Sequence, residues 1–261
     1  MSTKLRKPKG SAAMKGVIAS LLGTLVVSCS GCGGGGDSAE QNPTNSAQQT
    51  SPPSPMTRHI TIDAEGDSLI WGYAGTAANG SYIQSSSNAV AVLQEDLQAK
   101  LGSTVAVQNN GSSGAKAIDS LEGTPPYYTQ PFATRLAANS TAQIVLANYA
   151  VNDSMGRTID QYAADLTNWI AVVRATGKTP VLEEPNPVCD PKMPNVGAYV
   201  SVMRDVAKQQ GVTLIEHYDF IASLPNWQSM LIDCVHPSDT LYKIKAHREA
   251  AVLMPLVQSM Q

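Results

Sequence analysis

Residues 59–72 read His-Ile-Thr-Ile-Asp-Ala-Glu-Gly-Asp-Ser-Leu-Ile-Trp-Gly, and they hold both a strand and the point where it must end. The run His59 to Ala64 is short, apolar and β-branched, which predicts a buried strand. Directly after it come Gly66-Asp67-Ser68-Leu69, with Gly72 beyond. A glycine lets the chain turn sharply there and leaves the serine hydroxyl at the edge of a sheet, where an attacking oxygen belongs. The plainer alternative is a serine that caps the following helix.

Working outward, four more strand candidates appear: Thr104 to Gln108, Gln143 to Asn148, Thr179 to Glu183 and Val212 to Glu216. Segments of helical period separate them. In Ile159 to Ala175, residues Ile159, Tyr162, Ala163, Leu166, Trp169, Ile170 and Val173 fall three or four apart and make one buried stripe, which Gly177 stops. Similar stripes occupy Ala89 to Leu101, Val196 to Lys208 before Gly211, and Leu241 to Val257 after Ser238, an expected N-cap. Strands alternating with helices predict an α/β fold of three layers, α/β/α, around a flavodoxin-like five-stranded parallel sheet in the order 2-1-3-4-5. Such sheets carry reactive groups in the loops after their strands.

A serine needs a base to take its proton, usually a histidine held in one tautomer by a carboxylate. Four histidines are present. His59 lies in the first strand candidate, His217 at the end of the fifth and His247 within a helix, so each is expected to be packed or solvated. His236 lies instead in Asp233-Cys-Val-His236-Pro, between the fifth strand and the last helix. A three-residue spacing on a turn lets the carboxylate meet Nδ1 while Nε2 faces the serine. After the third strand, Asn148-Tyr-Ala-Val-Asn152-Asp153 places an amide able to donate to an oxyanion, or merely a turn. After the second, Gly111-Ser-Ser-Gly114 is either a loop or a source of a backbone N–H.

These four pieces, in this order, resemble the blocks of the SGNH (GDSL) hydrolases, over about Ile60 to His236. The resemblance implies Ser68 as nucleophile, with Asp233 and His236 completing a catalytic triad. It also implies an oxyanion hole from the Ser68 N–H, the Gly114 N–H (alternatively Gly111) and Asn152, and a serine esterase working through an acyl-enzyme without a cofactor. Ala150 stands where the family usually has glycine. The same residues serve a carbohydrate O-deacetylase or acyltransferase, and a non-catalytic envelope lipoprotein that keeps the fold is the alternative from another class.

Cys189 follows the fourth strand and Cys234 adjoins His236, so an oxidising compartment predicts a disulfide between their loops. No metal site is expected, because the chain lacks HExxH, paired CxxC and calcium-loop spacings. Trp71, Tyr73, Tyr82, Tyr127, Tyr128 and Tyr149 lie near strand ends, where they stack on sugars, line an acyl groove or simply pack.

The amino end carries Lys4, Arg6, Lys7, Lys9 and Lys15 before an apolar run from Val17 to Val27, the pattern of a secretory signal. Val26-Val27-Ser28-Cys29 resembles the bacterial lipobox, which makes Cys29 the candidate lipid anchor and Cys32 its alternative. Residues 29–56 are rich in Gly, Ser and Pro with nothing to bury, and are expected to be a disordered tether for a hydrolase domain at 57–261. Loss of residues 1–28 removes five of 18 basic groups and none of 21 acidic ones, leaving a net charge of −8. An anionic domain repels phosphate backbones, so nucleic acid is excluded as a partner. The expectation is a monomer on the bacterial envelope, facing periplasm or exterior, held to the membrane by lipid alone and acting on small-molecule, glycan or lipid esters.

Overall fold

The computed structural model describes residues 58–261. The signal segment, Cys29, Cys32 and the tether lie outside the described residues. In chain order the elements are β1 (Ile60–Gly66), α1 (Ser68–Trp71), β2 (Tyr73–Thr76), β3 (Tyr82–Gln84), α2 (Ala89–Leu101), β4 (Val105–Gly111), α3 (Ala117–Glu122), α4 (Phe132–Ala138), β5 (Ala142–Asn148), α5 (Asp153–Gly156), α6 (Ile159–Ala175), β6 (Thr179–Glu183), α7 (Val196–Gln210), β7 (Thr213–Ile215), α8 (Tyr218–Ala222) and α9 (Asp239–Gln258).

Five strands form a parallel sheet in the order β4-β1-β5-β6-β7, which is 2-1-3-4-5 when the sheet strands alone are counted. Strand β1 lies inside the sheet, between β4 and β5, and is buried along its whole length. Its Ile60, Ile62 and Ala64 pack with Leu93 and Leu97 of α2 and with Tyr242, Ala246 and Leu253 of α9. The other face carries Val145, Ala147 and Leu182 against Leu166, Trp169 and Val173 of α6 and Met203 of α7. Helices therefore cover both sides. Trp169 stacks on Phe132 with ring centroids 5.3 Å apart, and its truncation to alanine would cost about 3–5 kcal/mol.

Helix α6 shows how local chemistry sets an element's limits. The Thr158 hydroxyl accepts from the Gln161 N–H, while the Gln161 side chain accepts from the Thr158 N–H, a reciprocal cap. Ile159, expected in the buried stripe, lies in the first turn with its side chain exposed. Ser238 stands at the N-cap of α9, as expected, but only its carbonyl serves the helix, accepting from Tyr242 N–H, and its hydroxyl makes no capping bond.

Strands β2 and β3 form an antiparallel hairpin that no sequence reading above anticipates. Its tip is Ala77 to Ser81, where Gly80 N–H donates to Ala77 O and Ala77 N–H to Ser81 O.

Candidate active site

The carboxyl ends of β1, β4 and β5 lie side by side, with Gly66 in register with Gly111 on one flank and Asn148 on the other. The chain is crowded here. A Cβ on Gly66 would sit 2.7 Å from the Asn148 carbonyl oxygen, and one on Gly111 only 2.3 Å from the Trp71 backbone nitrogen, so α1 folds back directly onto the β4 end because both positions lack a side chain.

Asp67 is wholly buried and holds the turn together. Its Oδ1 accepts from Leu69 N–H at 2.8 Å and its Oδ2 from Asn152 Nδ2 at 3.1 Å. Burial pushes its carboxyl up to about 7 despite those bonds and the nearby Lys245 ammonium. Ser68, at the first residue of α1, is 8% exposed.

Across the cleft, His236 Nε2 lies 2.8 Å from Ser68 Oγ, and its Nδ1 lies 2.7 Å from Asp233 Oδ2. The carboxylate can only accept, so it keeps the imidazole proton on Nδ1 and turns the Nε2 lone pair toward the serine hydroxyl. Burial raises the Asp233 carboxyl, but the backbone N–H groups of His236 and Val235 and the imidazole outweigh it, and the group settles below the usual carboxylate range.

The loop bearing this pair is closed on itself and clamped from outside. Ile232 N–H donates to His236 O, and Leu231 bridges Pro237. Cys234, at its tip, has φ +66°, a left-handed conformation that costs an L-residue about 1–2 kcal/mol. The loop after β6 grips it through the Cys189–Cys234 disulfide, through Cys189 N–H to Cys234 O, and through Asn186 Nδ2 to Val235 O. The expected disulfide is thus present and joins the two expected loops.

Ser68, Tyr73, Tyr82, Ser112, Ser113, Gly114, Pro126, Tyr127, Asn152 and His236 line one open cleft of about 480 Å³. Gly114 is on its wall; Gly111, the alternative, is packed beneath α1. Asn152 is there too, with Nδ2 shared between Asp67 Oδ2 and, at 3.3 Å, the Ala115 carbonyl, so an incoming oxyanion would replace the longer of these bonds. The extra methyl of Ala150 is buried in the core with Ala115 and Ala117, which absorbs it without a left-handed residue.

Of the aromatic candidates, Tyr73, Tyr82 and Tyr127 line the cleft, and Trp71 meets Tyr82 edge to face. Tyr128 and Tyr149 are buried below it, their hydroxyls 3.0 Å apart, with Tyr128 donating to Gly66 O. His59 is exposed, and His247 pairs with Asp96 on the surface.

Residues 64–244 match the sequence pattern of the GDSL-like lipase/acylhydrolase family. The chain belongs to this family. No curated protein matches it in sequence. Among solved structures, this GDSL-like fold superposes on a lipase/acylhydrolase from Enterococcus faecalis, with TM-score 0.60 and 20% identity over 76% of this chain and 96% of that one. It also superposes on Est24, a carbohydrate acetylesterase from Sinorhizobium meliloti, with TM-score 0.59 and 16% identity over 76% and 99%. A third match is the aryl esterase of M. smegmatis, with TM-score 0.58 and 15% identity over 77% and 100%. At these identities the likeness is one of fold.

Sequence reading missed a second ionisable group in this GDSL-like domain. Glu183, His217, Lys245 and Glu249 are each fully buried under the carboxyl ends of β6 and β7. Glu183, His217 and Glu249 each offer a donor atom within 4.8 Å of the others, a spacing a metal ion accepts. Glu183 Oε1, however, already meets the Lys245 ammonium at 2.9 Å and Asn148 Nδ2 at 2.8 Å. The positive charge at this point comes from the chain itself.

Proposed function

We propose that the chain is a serine esterase that hydrolyses carboxylic esters through an acyl-enzyme on Ser68. The observation that carries this reading is the continuous line Asp233 Oδ2, His236 Nδ1, His236 Nε2, Ser68 Oγ, with contacts of 2.7 and 2.8 Å, opening into a cleft. Ser68 Oγ attacks the ester carbonyl as its proton passes to His236 Nε2. The carbonyl oxygen takes up the negative charge beside Asn152 and Gly114. Collapse of the tetrahedral intermediate expels the alkoxide, which receives the proton from His236. Water then repeats the sequence, losing a proton to the same nitrogen and releasing the acid and free Ser68. Asp233 stays ionised, as its lowered acidity range favours, and steadies the imidazolium.

A fluorophosphonate probe tests this directly: one label per chain, located on Ser68, is expected. An unlabelled protein that still folds would instead fit the envelope protein without catalysis.

A carbohydrate O-deacetylase is the second reading, favoured by a cleft whose walls mix serine hydroxyls and amide groups with tyrosine rings, and by the fold shared with an acetylesterase. Acetylated xylan assayed beside p-nitrophenyl esters of rising chain length separates the two. A secreted form anchored through Cys29 is also our proposal. Palmitate labelling that survives Cys29→Ser and Cys32→Ser together rules it out.

A further inference from the structure

His236 must carry a positive charge at the moment Ser68 attacks, and a side chain with no part in the mechanism above covers one face of its ring. The Tyr73 ring centroid lies 4.2 Å from that of the imidazole, with the planes inclined by 42°. Tyr73 is itself held on several sides. Its hydroxyl is 2.8 Å from Thr76 Oγ1, its carbonyl accepts from Tyr242 Oη on α9 at 3.1 Å, and Tyr82 meets its ring edge to face at 5.4 Å.

The root of the hairpin is fixed to the nucleophile turn. Gly72 N–H donates to Ser68 O at 2.9 Å, and Ser85 N–H donates to Gly72 O at 2.8 Å. One short segment therefore places both the attacking hydroxyl and the ring that lies over its base.

We propose that Tyr73 is a positioning residue for His236: its ring holds the imidazole plane between Asp233 and Ser68, and its electron-rich face stabilises the imidazolium as the proton arrives. The inference rests on the reading of Ser68, His236 and Asp233 given above. An aromatic quadrupole attracts a cation over its face far more than a neutral ring. The stabilisation therefore grows as the reaction proceeds and acts on kcat rather than on KM.

The test compares Tyr73→Leu, Tyr73→Phe and a series of fluorinated phenylalanines at position 73, using p-nitrophenyl acetate turnover and the rate of fluorophosphonate labelling. Tyr73→Leu is expected to lower kcat and the labelling rate by about 3- to 30-fold, with KM nearly unchanged. Tyr73→Phe, which keeps the face and loses only the bond to Thr76, is expected to restore most of the loss. The fluorinated series keeps the shape while draining the ring of electron density, so kcat should fall with each added fluorine even if Tyr73→Leu does not fold. A flat response across that series, a loss confined to KM, or a Phe variant as slow as the Leu variant overturns the inference. A wild-type chain that takes no label strikes the esterase reading itself, whatever the Tyr73 variants do.

Discussion

Two groups of histidine and carboxylate lie at the same end of one sheet, and solvent separates their fates. In the open group, His236 bridges Ser68 and Asp233 through contacts of 2.8 and 2.7 Å, and Asp233 is 41% exposed. In the sealed group, His217 Nε2 lies 3.4 Å from Glu183 and 3.5 Å from Glu249, and none of the three is reached by water. The residue types are nearly the same. What differs is that the open histidine faces a hydroxyl beside an open cleft, whereas the sealed one faces only other fixed groups. A general base needs a hydroxyl or water to deprotonate and a leaving group to receive the proton; the sealed histidine faces neither among the described residues, so it serves the fold.

The largest effect should come from removing the one atom the sealed group lacks. Ser68→Ala is expected to lower kcat by about 10⁴- to 10⁶-fold while the melting temperature stays within a few degrees of wild type. Ester assay and calorimetry on the same preparation check both halves. A comparable residual rate in Ser68→Ala would erase the functional distinction between the two groups.

The sealed group should fail in the opposite way. Lys245→Met leaves Glu183 buried without its ammonium, a loss of about 3–5 kcal/mol in urea unfolding, with turnover per folded molecule intact. Adding Glu183→Gln to Lys245→Met removes the orphaned charge and is expected to recover most of that loss. If the double variant is no more stable than the single, the pair is not what holds this region.

Asn152→Ala tests the open group's second layer, where the proposed oxyanion donor would exchange its longer bond, to the Ala115 carbonyl, for one to the reacting oxygen. A fall in kcat of about 10²- to 10³-fold is expected, with KM little changed. Next in size is the clamp on the base. Replacing Cys189 and Cys234 with alanine is expected to cost about 2–4 kcal/mol of stability, since the bridge closes a long loop. It should also slow turnover several-fold, because Asp233 and His236 lose an outside support; a variant that loses stability but no activity would show that the loop's own hydrogen bonds suffice.

The two groups were not equally legible. Ser68 and Asn152 follow strands β1 and β5 directly, and Asp233 and His236 lie in the loop before α9, so a reading that finds the strands and the last helix also finds the loops where chemistry gathers. The strands were visible because each of β1, β5 and β6 carries buried apolar residues in a short run, Ile60 and Ile62, Ile144 to Leu146, and Val181 with Leu182, even though Asp63, Glu65, Asn148 and Glu183 are buried beside them. Lys245 and Glu249, four apart on α9, look instead like an ion pair on a solvated helix face. Only the packing of α9 against the ends of β6 and β7 buries them, and that is a tertiary fact. The hairpin was missed for a different reason. Asn79-Gly80 is a strong turn signal, but strands of four and three residues are too short to display a period. Tyr73 consequently read as one more loop aromatic.

The smallest effect, and the one that sets the two groups most directly against each other, is the response of stability to pH. Burial and the neighbouring Glu183 charge raise the Glu249 carboxyl, so the folded chain binds a proton there that the unfolded chain has already released. Its contribution is complete below the ordinary carboxylate range and is lost as pH rises through the raised value. Asp233 is lowered despite its burial, by the two N–H groups and the imidazole, so its contribution is present above the ordinary range and is lost as pH falls. The opposite signs make opposite variants informative. Glu249→Gln, neutral at every pH, should lessen the decline of stability on the alkaline side, where the raised carboxyls of Glu65, Asp67 and Asp153 keep their own share, and leave the acid side as it was. Asp233→Asn should flatten the acid side instead, and unlike Glu249→Gln it should also lower kcat, because the tautomer of His236 is no longer fixed. Urea midpoints taken from pH 4 to pH 9 decide this. Parallel profiles for wild type and Glu249→Gln would mean that the sealed carboxyl is already ionised in the fold.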